Sequence, residues 1–223
     1  AVGRSALLVN TTGGDNVAVG MNALDANTEG VSNNGLGAFS LTANTTGNNN
    51  VAVGRAALAA NTTASNNTAV GNNALVANTT GTANVAVGAL AGDALTVGSS
   101  NVAIGYNSLS TEDGHGANVA VGTNSLAVQN AGANGYNTAV GHNAGLSVTT
   151  AVETTLVGAL AGDAITTGGY NTGFGSAALG ATTTATFNTA VGRNALGANT
   201  TGASNVAVGG QALDANTTAD NNT

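Results

Sequence analysis

The stretch Asn67-Thr-Ala-Val-Gly-Asn-Asn-Ala-Leu-Val-Ala-Asn-Thr-Thr-Gly81 decides the fold, because close copies of it fill the chain. With its first Asn counted as position one, the chain repeats a 17-residue unit that has Gly at position five and Leu at position nine. The position-five glycines run from Gly3 to Gly209, and eleven of the twelve intervals between them equal one repeat length. The interval from Gly122 to Gly141 is longer by two positions, which predicts a two-residue surface bulge near residues 130–136.

This repeat predicts an all-β fold. A 17-residue period is shorter than the roughly 33 residues of helix-pair repeats, and a helix so rich in Gly, Asn and Thr would be unstable. Val-Ala-Val stretches favour short strands, and Asn-Thr-Thr-Gly favours turns. We therefore predict a parallel β-solenoid, a β-roll or β-helix of about thirteen 17-residue coils, stacked at roughly 4.8 Å. Residues 1–223 are expected to form a single uncapped repeat array.

Stacked coils would bring equal positions into columns along the solenoid. The Asn column at position one predicts an inward ladder of amide-to-amide hydrogen bonds, or alternatively turn residues in left-handed conformation. The Gly column at position five predicts corners with positive φ or close backbone approach. The ladder candidates are Asn16, Asn33, Asn50, Asn67, Asn84, Asn101, Asn118, Asn137, Asn171, Asn188 and Asn205, and the corner candidates are Gly20, Gly54, Gly71, Gly88, Gly105, Gly122, Gly141, Gly158, Gly175, Gly192 and Gly209.

Side-chain size along the strand suggests how the coils are packed. Position four carries a larger apolar residue in every unit, so we expect it to fill the coil interior, while the Ala or Gly at position three would pack against a second surface. Charged residues make up only 6% of the chain. A lone copy would then expose too much apolar surface, and we expect a homo-oligomer, with three copies as the first choice.

Two coils depart from the consensus in the same way. The segment Val87–Leu95 matches the segment Val157–Ile165, and both move Leu to position seven and place an apolar residue at position twelve. These coils are expected to form a second coil type with a reshaped corner.

Composition excludes several functions. The chain has no Cys, so it holds no disulfide or zinc–cysteine site. Three Arg and no Lys argue against a nucleic-acid partner, and no apolar run is long enough for membrane insertion. No paired carboxylates or nucleophile–base pairs recur, so we expect neither enzymatic activity nor a cofactor. Glu112, Asp113 and His115 could form a metal cluster, although an exposed turn is the simpler interpretation, and His142 is expected to be a surface residue.

The recurring Asn-Thr-Thr has two interpretations. It fits the N-glycosylation pattern, and it also fits a turn that the repeat favours. Its Thr residues would form rows, as in ice-binding solenoids, but the rows are broken between Thr80 and Thr200. The Asn residues concerned are Asn10, Asn44, Asn61, Asn78, Asn199 and Asn216.

The segments 67–81 and 188–202 resemble the 17-residue repeats of phage tail-fibre-like and bacterial surface proteins. The stretch Asn101-Val-Ala-Ile-Gly105 is also similar to the head repeats of YadA-like trimeric autotransporter adhesins, although that repeat is usually shorter. The resemblance implies a trimeric, left-handed β-roll shaft at a virion or cell surface.

These observations together favour a structural role. We expect the shaft of an extracellular fibre or filament that assembles with itself, as a homotrimer and by end-to-end stacking. Asn222-Thr223 followed by Ala1-Val2-Gly3 restores the consensus, so we expect either a segment of a longer fibre or a protomer that stacks end to end. The alternatives are an adhesin head that binds a cell-surface receptor through positions six, sixteen and seventeen or residues 130–136, and more distantly an ice-binding solenoid.

Overall fold

The chain folds into stacked coils that each contribute one short strand. The computed structural model describes residues 1–112 and 114–223, and these fall into two compact units, residues 1–115 and residues 116–223. The described residues contain no α-helix. Every strand occupies positions two to four of its repeat. The strands are β1 (Val17–Val19), β2 (Asn34–Leu36), β3 (Val51–Val53), β4 (Thr68–Val70), β5 (Val85–Val87), β6 (Val102–Ile104), β7 (Val119–Val121), β8 (Thr138–Val140), β9 (Thr155–Val157), β10 (Thr172–Phe174), β11 (Thr189–Val191) and β12 (Val206–Val208).

Neighbouring strands within each unit pair in parallel and in sequence order. In the first unit this holds from β1 to β6, and in the second from β7 to β12. The register joins equal positions, as in Val51 opposite Thr68 and Ala52 opposite Ala69. The predicted all-β, parallel β-solenoid with 17-residue spacing is therefore confirmed. Its handedness and its association into trimers remain predictions.

The coil turns through left-handed backbone at fixed positions. Besides the position-five glycines, non-glycine residues at positions seven, nine and seventeen have φ between 47° and 64°. Asn tolerates this conformation well, and it is the commonest residue at position seven. Leu does not, yet the position-nine leucines adopt φ values of 47–59°. Burying a Leu side chain stabilises a fold by about 1.5–3 kcal/mol, which offsets the roughly 1–2 kcal/mol cost of the left-handed conformation.

The interior of the coil is built from position three, and not from position four as the sequence suggested. The position-three side chains, such as Ala52 and Ala69, are fully buried, together with Leu58 and Leu75 at position nine. The position-four side chains point outward and are half-buried or exposed. Small residues stand at position three because Leu side chains fill the space: a Cβ added to Gly35 would lie 3.4 Å from Cδ1 of Leu24.

The coils that lack Leu at position nine fill their interior differently. Gly92, Gly145 and Gly162 occupy position nine there, and the buried apolar side chains of Leu95, Val148 and Ile165 occupy position twelve, where most coils carry Asn. A Cβ added to Gly92 would lie 2.9 Å from Cδ1 of Leu95. The large side chain has thus moved from position nine to position twelve. The Leu at position seven of two of these coils does not fill the coil interior, because Leu90 and Leu160 retain substantial solvent exposure.

Candidate functional site

The position-one asparagines line the inside of the coils and are almost completely buried from Asn33 to Asn205. In most coils the side-chain oxygen accepts a hydrogen bond from the position-one backbone N–H of the next coil, as Asn50 does from Asn67 at 3.0 Å. The side-chain nitrogen donates to the carbonyl at position fifteen of its own coil, as Asn67 does to Gly81 at 2.8 Å. The residues form an inward column, as expected, but its bonds join side chain to backbone. Amide-to-amide contacts are few, for example Asn50 to Asn33 at 3.1 Å.

The continuous amide-to-amide ladder lies instead at position twelve, which sequence reasoning assigned to turns. The side-chain nitrogens of Asn27, Asn44 and Asn61 each donate to the side-chain oxygen of the Asn one coil before, at 2.8 Å in all three cases. Asn78 continues the ladder at 3.0 Å. The ladder stops at Leu95, and the buried Oδ1 of Asn78 is left without a hydrogen bond among the described residues. The strict recurrence of Asn before Thr-Thr was the signal that could have indicated an inward role.

Burial at position twelve favours the turn interpretation of Asn-Thr-Thr at four of its six sites, whereas Asn10 and Asn216 are exposed or half-buried. Asn44, Asn61, Asn78 and Asn199 have no solvent-accessible surface, so the folded chain cannot carry a glycan at these four sites. The Thr that follows is also engaged: the position-thirteen hydroxyls donate to the position-thirteen carbonyls of the next coil, as Thr62 does to Thr79 at 3.2 Å. The position-thirteen hydroxyls are therefore used to join neighbouring coils, whereas the position-fourteen threonines, such as Thr63 and Thr80, are exposed.

The position-five glycines lie where two coils approach most closely. Their φ values lie between 127° and 143°, a region that residues with a Cβ rarely adopt. A Cβ added to Gly88 would lie 2.6 Å from the carbonyl oxygen of Gly105. Both the predicted positive φ and the predicted close approach thus apply at Gly88. The same geometry recurs from Gly3 to Gly88 in the first unit and from Gly122 to Gly192 in the second.

The candidate metal cluster of the sequence forms only a local pair. Glu112 takes position twelve and is fully buried, and its Oε1 lies 3.1 Å from both the backbone N and Nδ1 of His115. Asp113 lies outside the described residues. His142 is exposed at position six, as expected. Among residues 1–112 and 114–223, no three His, Cys, Asp or Glu side chains converge on a point that could hold a metal ion.

The outward side chains of positions two and four form a strip in each unit that is apolar at position four and carries mostly Val or Thr at position two, and we call this strip the outer strand face. In the first unit it includes Val17, Val19, Val53, Val87 and Ile104, all exposed. Their columns are regular because the strand register joins equal positions. Monomeric soluble proteins rarely expose long contiguous apolar patches. The outer strand face is the strongest candidate for an interaction surface.

Two variant coils carry a half-buried carboxylate at position ten. Burial raises the pKa of Asp93 and of Asp163 above the ordinary carboxyl range, against the opposing effect of hydrogen bonds from their own and the following backbone N–H. The buried Oδ1 of Asp93 has no hydrogen-bond partner among the described residues. Because the folded state binds this proton more tightly than the unfolded chain, stability falls as the pH rises through the raised pKa.

Replacing Asp93 by Asn should therefore stabilise the protein slightly at neutral pH. We expect Asp93→Asn to raise Tm by on the order of 1 °C at pH 7, and the difference from the parent should shrink below pH about 4, where the unfolded carboxyl is protonated too. Calorimetry over a pH series measures this. Asp25→Asn is the matched control, because Asp25 also stands at position ten but accepts a 2.7 Å hydrogen bond from Thr42. A Tm gain that is equal in both variants would contradict the prediction.

Comparison of the chain with protein-family profiles, with curated proteins and with solved structures finds no match. A bilayer-spanning helix is not found in the part of the chain that the structure describes. The assignment of function therefore depends on the solenoid and its surfaces.

Proposed function

We propose that this chain is the structural shaft of an extracellular fibre, and that copies associate through the outer strand face, three around a common axis. The observation that carries the proposal is the regular strip of exposed Val, Ile and Leu on the outward side of the strands. Such a strip loses its contact with water when a second copy covers it, and burial is worth roughly 25 cal/mol per Å² of apolar surface. The number three and the extracellular location are supported by the repeat resemblance.

The buried polar columns support a mechanical role. Neighbouring coils are tied together by strand pairing, by position-one bonds such as Asn84 to Asn67 at 2.9 Å, and by position-thirteen hydroxyl bonds. These bonds join only neighbouring coils. The same set of bonds can therefore be repeated for any number of coils. The same bonds would hold a further copy stacked end to end, and such stacking is part of this proposal.

A pair of valines from one coil tests association through the outer strand face. Val87 lies on that face at position four and is 37% exposed, whereas Val97 lies at position fourteen and is 52% exposed. We expect the parent to sediment at about 63 kDa, three times the 21.0 kDa of one chain. Val87→Lys should sediment as the monomer, because an unpaired ammonium would be buried between copies. Val97→Lys should keep the mass of the parent.

Two outcomes would contradict the proposal. The first is a parent chain that remains a monomer at every concentration reached in sedimentation velocity. The second is an equal loss of mass in both variants, which would indicate a general effect of charge. Electron microscopy of the parent adds an independent check, because end-to-end stacking predicts filaments longer than one chain.

A further inference from the structure

A run of large side chains interrupts an otherwise small and polar column at position seventeen. Four consecutive coils of the second unit carry Tyr136, Glu153, Tyr170 and Phe187 there, whereas every other coil has Asp, Ser, Asn or Ala. The aromatic side chains are exposed, at 58% for Tyr136, 46% for Tyr170 and 59% for Phe187. Glu153 is exposed as well. An interior packing role therefore does not account for these residues.

The backbone holds the four side chains in one row. All four have left-handed φ values, of 49°, 55°, 60° and 60° in chain order, so their side chains leave the coils in the same direction. Backbone N–H groups of Glu153 and Tyr170 donate to the preceding coils, at 2.8 Å to Gly135 and 3.0 Å to Val152. The rings of Tyr170 and Phe187 are stacked, with centroids 4.9 Å apart and planes 7° from parallel. Phe187 covers one face of Tyr170, and the other face is directed toward the coil of Glu153.

The spacing between the two tyrosines suits a cation. Tyr136 and Tyr170 are separated by two coil spacings, roughly 9.6 Å, and Glu153 extends between them, so a cation on the outer side of its carboxylate would lie about 6 Å from both rings. Cation–π attraction acts within about 6 Å of a ring centroid. Glu153 stands between the tyrosines in the row and brings a negative charge. Its carboxylate has no ion pair or hydrogen bond with the residues that the structure describes.

We propose that Tyr136, Glu153 and Tyr170 form a binding site for a quaternary ammonium group. Such a group cannot donate N–H hydrogen bonds, so it is recognised by aromatic faces and one countercharge, which are what this row offers. The net charge of −7 also favours a cation over an anion. The lengthened coil contributes to the site, because Asn134 in its insertion donates to the Tyr136 hydroxyl at 3.5 Å. The proposal goes beyond the shaft function and does not depend on it.

Choline chloride is the probe that tests the site, with binding followed by Tyr ring shifts in NMR and by calorimetry on the full chain. We expect saturable binding of one choline per chain, and no comparable binding of 3,3-dimethyl-1-butanol, its neutral isostere. Glu153→Gln should weaken binding about fivefold, and Tyr136→Leu and Tyr170→Leu about two- to fivefold each. Glu29→Gln, the same charge change at an exposed residue far along the chain from this row, should leave the affinity unchanged.

The source of the ammonium group is distinguished by two further probes. Phosphatidylcholine vesicles that bind the parent but not Glu153→Gln would support the site and identify a lipid headgroup. A trimethyllysine peptide that does so, without vesicle binding, would support the site and identify a methylated protein. Choline affinity that is equal in the parent and in a folded Glu153→Gln, or equal to that of the neutral isostere, would overturn the proposal. Thermal unfolding of each variant establishes that it is folded.

Discussion

Replacing Gly88 by Ala is expected to lower the free energy of unfolding by about 3–5 kcal/mol. Two effects add at this residue. Its φ of 136° is strained for any residue with a Cβ, and the added Cβ would lie 2.6 Å from the carbonyl oxygen of Gly105. A backbone carbonyl in a neighbouring coil cannot move aside without breaking strand pairing. Urea denaturation followed by circular dichroism measures the loss.

Two further glycines separate the strain from the overlap. Gly132 has a φ of 71° and no atom within 4 Å of an added Cβ, so Gly132→Ala should cost only the strain, about 1–3 kcal/mol. Gly210 has neither a left-handed φ nor an atom within 4 Å of the added Cβ, and Gly210→Ala should be within about 0.5 kcal/mol of the parent. The expected loss of stability is largest for Gly88→Ala, smaller for Gly132→Ala and smallest for Gly210→Ala. If Gly88→Ala and Gly210→Ala had the same free energy of unfolding, the close approach of the coils at Gly88 would be contradicted.

The second large effect is expected at the position-twelve ladder. Asn61 donates to the Asn44 side chain at 2.8 Å and to the Ala64 carbonyl at 3.1 Å, and it accepts from Asn78 at 3.0 Å. Asn61→Asp removes the donor and places a carboxylate against two acceptor oxygens in a fully buried column. Leaving such a charge unpaired costs about 3–5 kcal/mol, so a loss of this size is expected at pH 7.

The pH dependence of Asn61→Asp gives the sharper measurement. Burial would raise the pKa of the new carboxyl in the folded state, so its destabilising effect is present above the pKa of the unfolded chain. The effect should diminish as the pH falls toward about 4, because the carboxyl is then protonated in both states. Asn72→Asp makes the same charge change at an exposed residue of the next coil and should be nearly neutral. Equal free energies of unfolding for the two variants at pH 7 would show that the position-twelve ladder contributes little to stability.

The repeat made the architecture predictable, because strand pairing and the corner at Gly88 follow from stacking identical units. Which side of the strand faces inward was not predictable in the same way. Large residues at position four suggested a core, yet the interior is so narrow that Leu58 fills it and only Ala52 fits opposite. Large side chains identify the core-facing positions only when the width of the interior is known. The 17-residue period alone does not determine that width.

The polar interior shows a second limit of sequence reasoning. Asn recurs at the position of Asn67 in twelve of thirteen units and at the position of Asn61 in seven, and turn chemistry explains either column. Local preference could not tell that Asn67 binds backbone while Asn61 belongs to an amide-to-amide ladder. The row from Tyr136 to Phe187 was hidden for another reason: its members are single departures from the consensus, and they become neighbours only after the coils are stacked.

The replacement of Leu by Gly at position nine also affects which coils pair with each other during folding. Identical coils could pair one repeat out of place, since a slip by one full repeat would restore nearly every contact. A slip by one repeat would move Gly92 and Leu95 away from Leu75, which packs against Gly92, and would open a void where a Leu is missing. Coils filled from position twelve therefore act as alignment marks in a chain that would otherwise have many equivalent pairings.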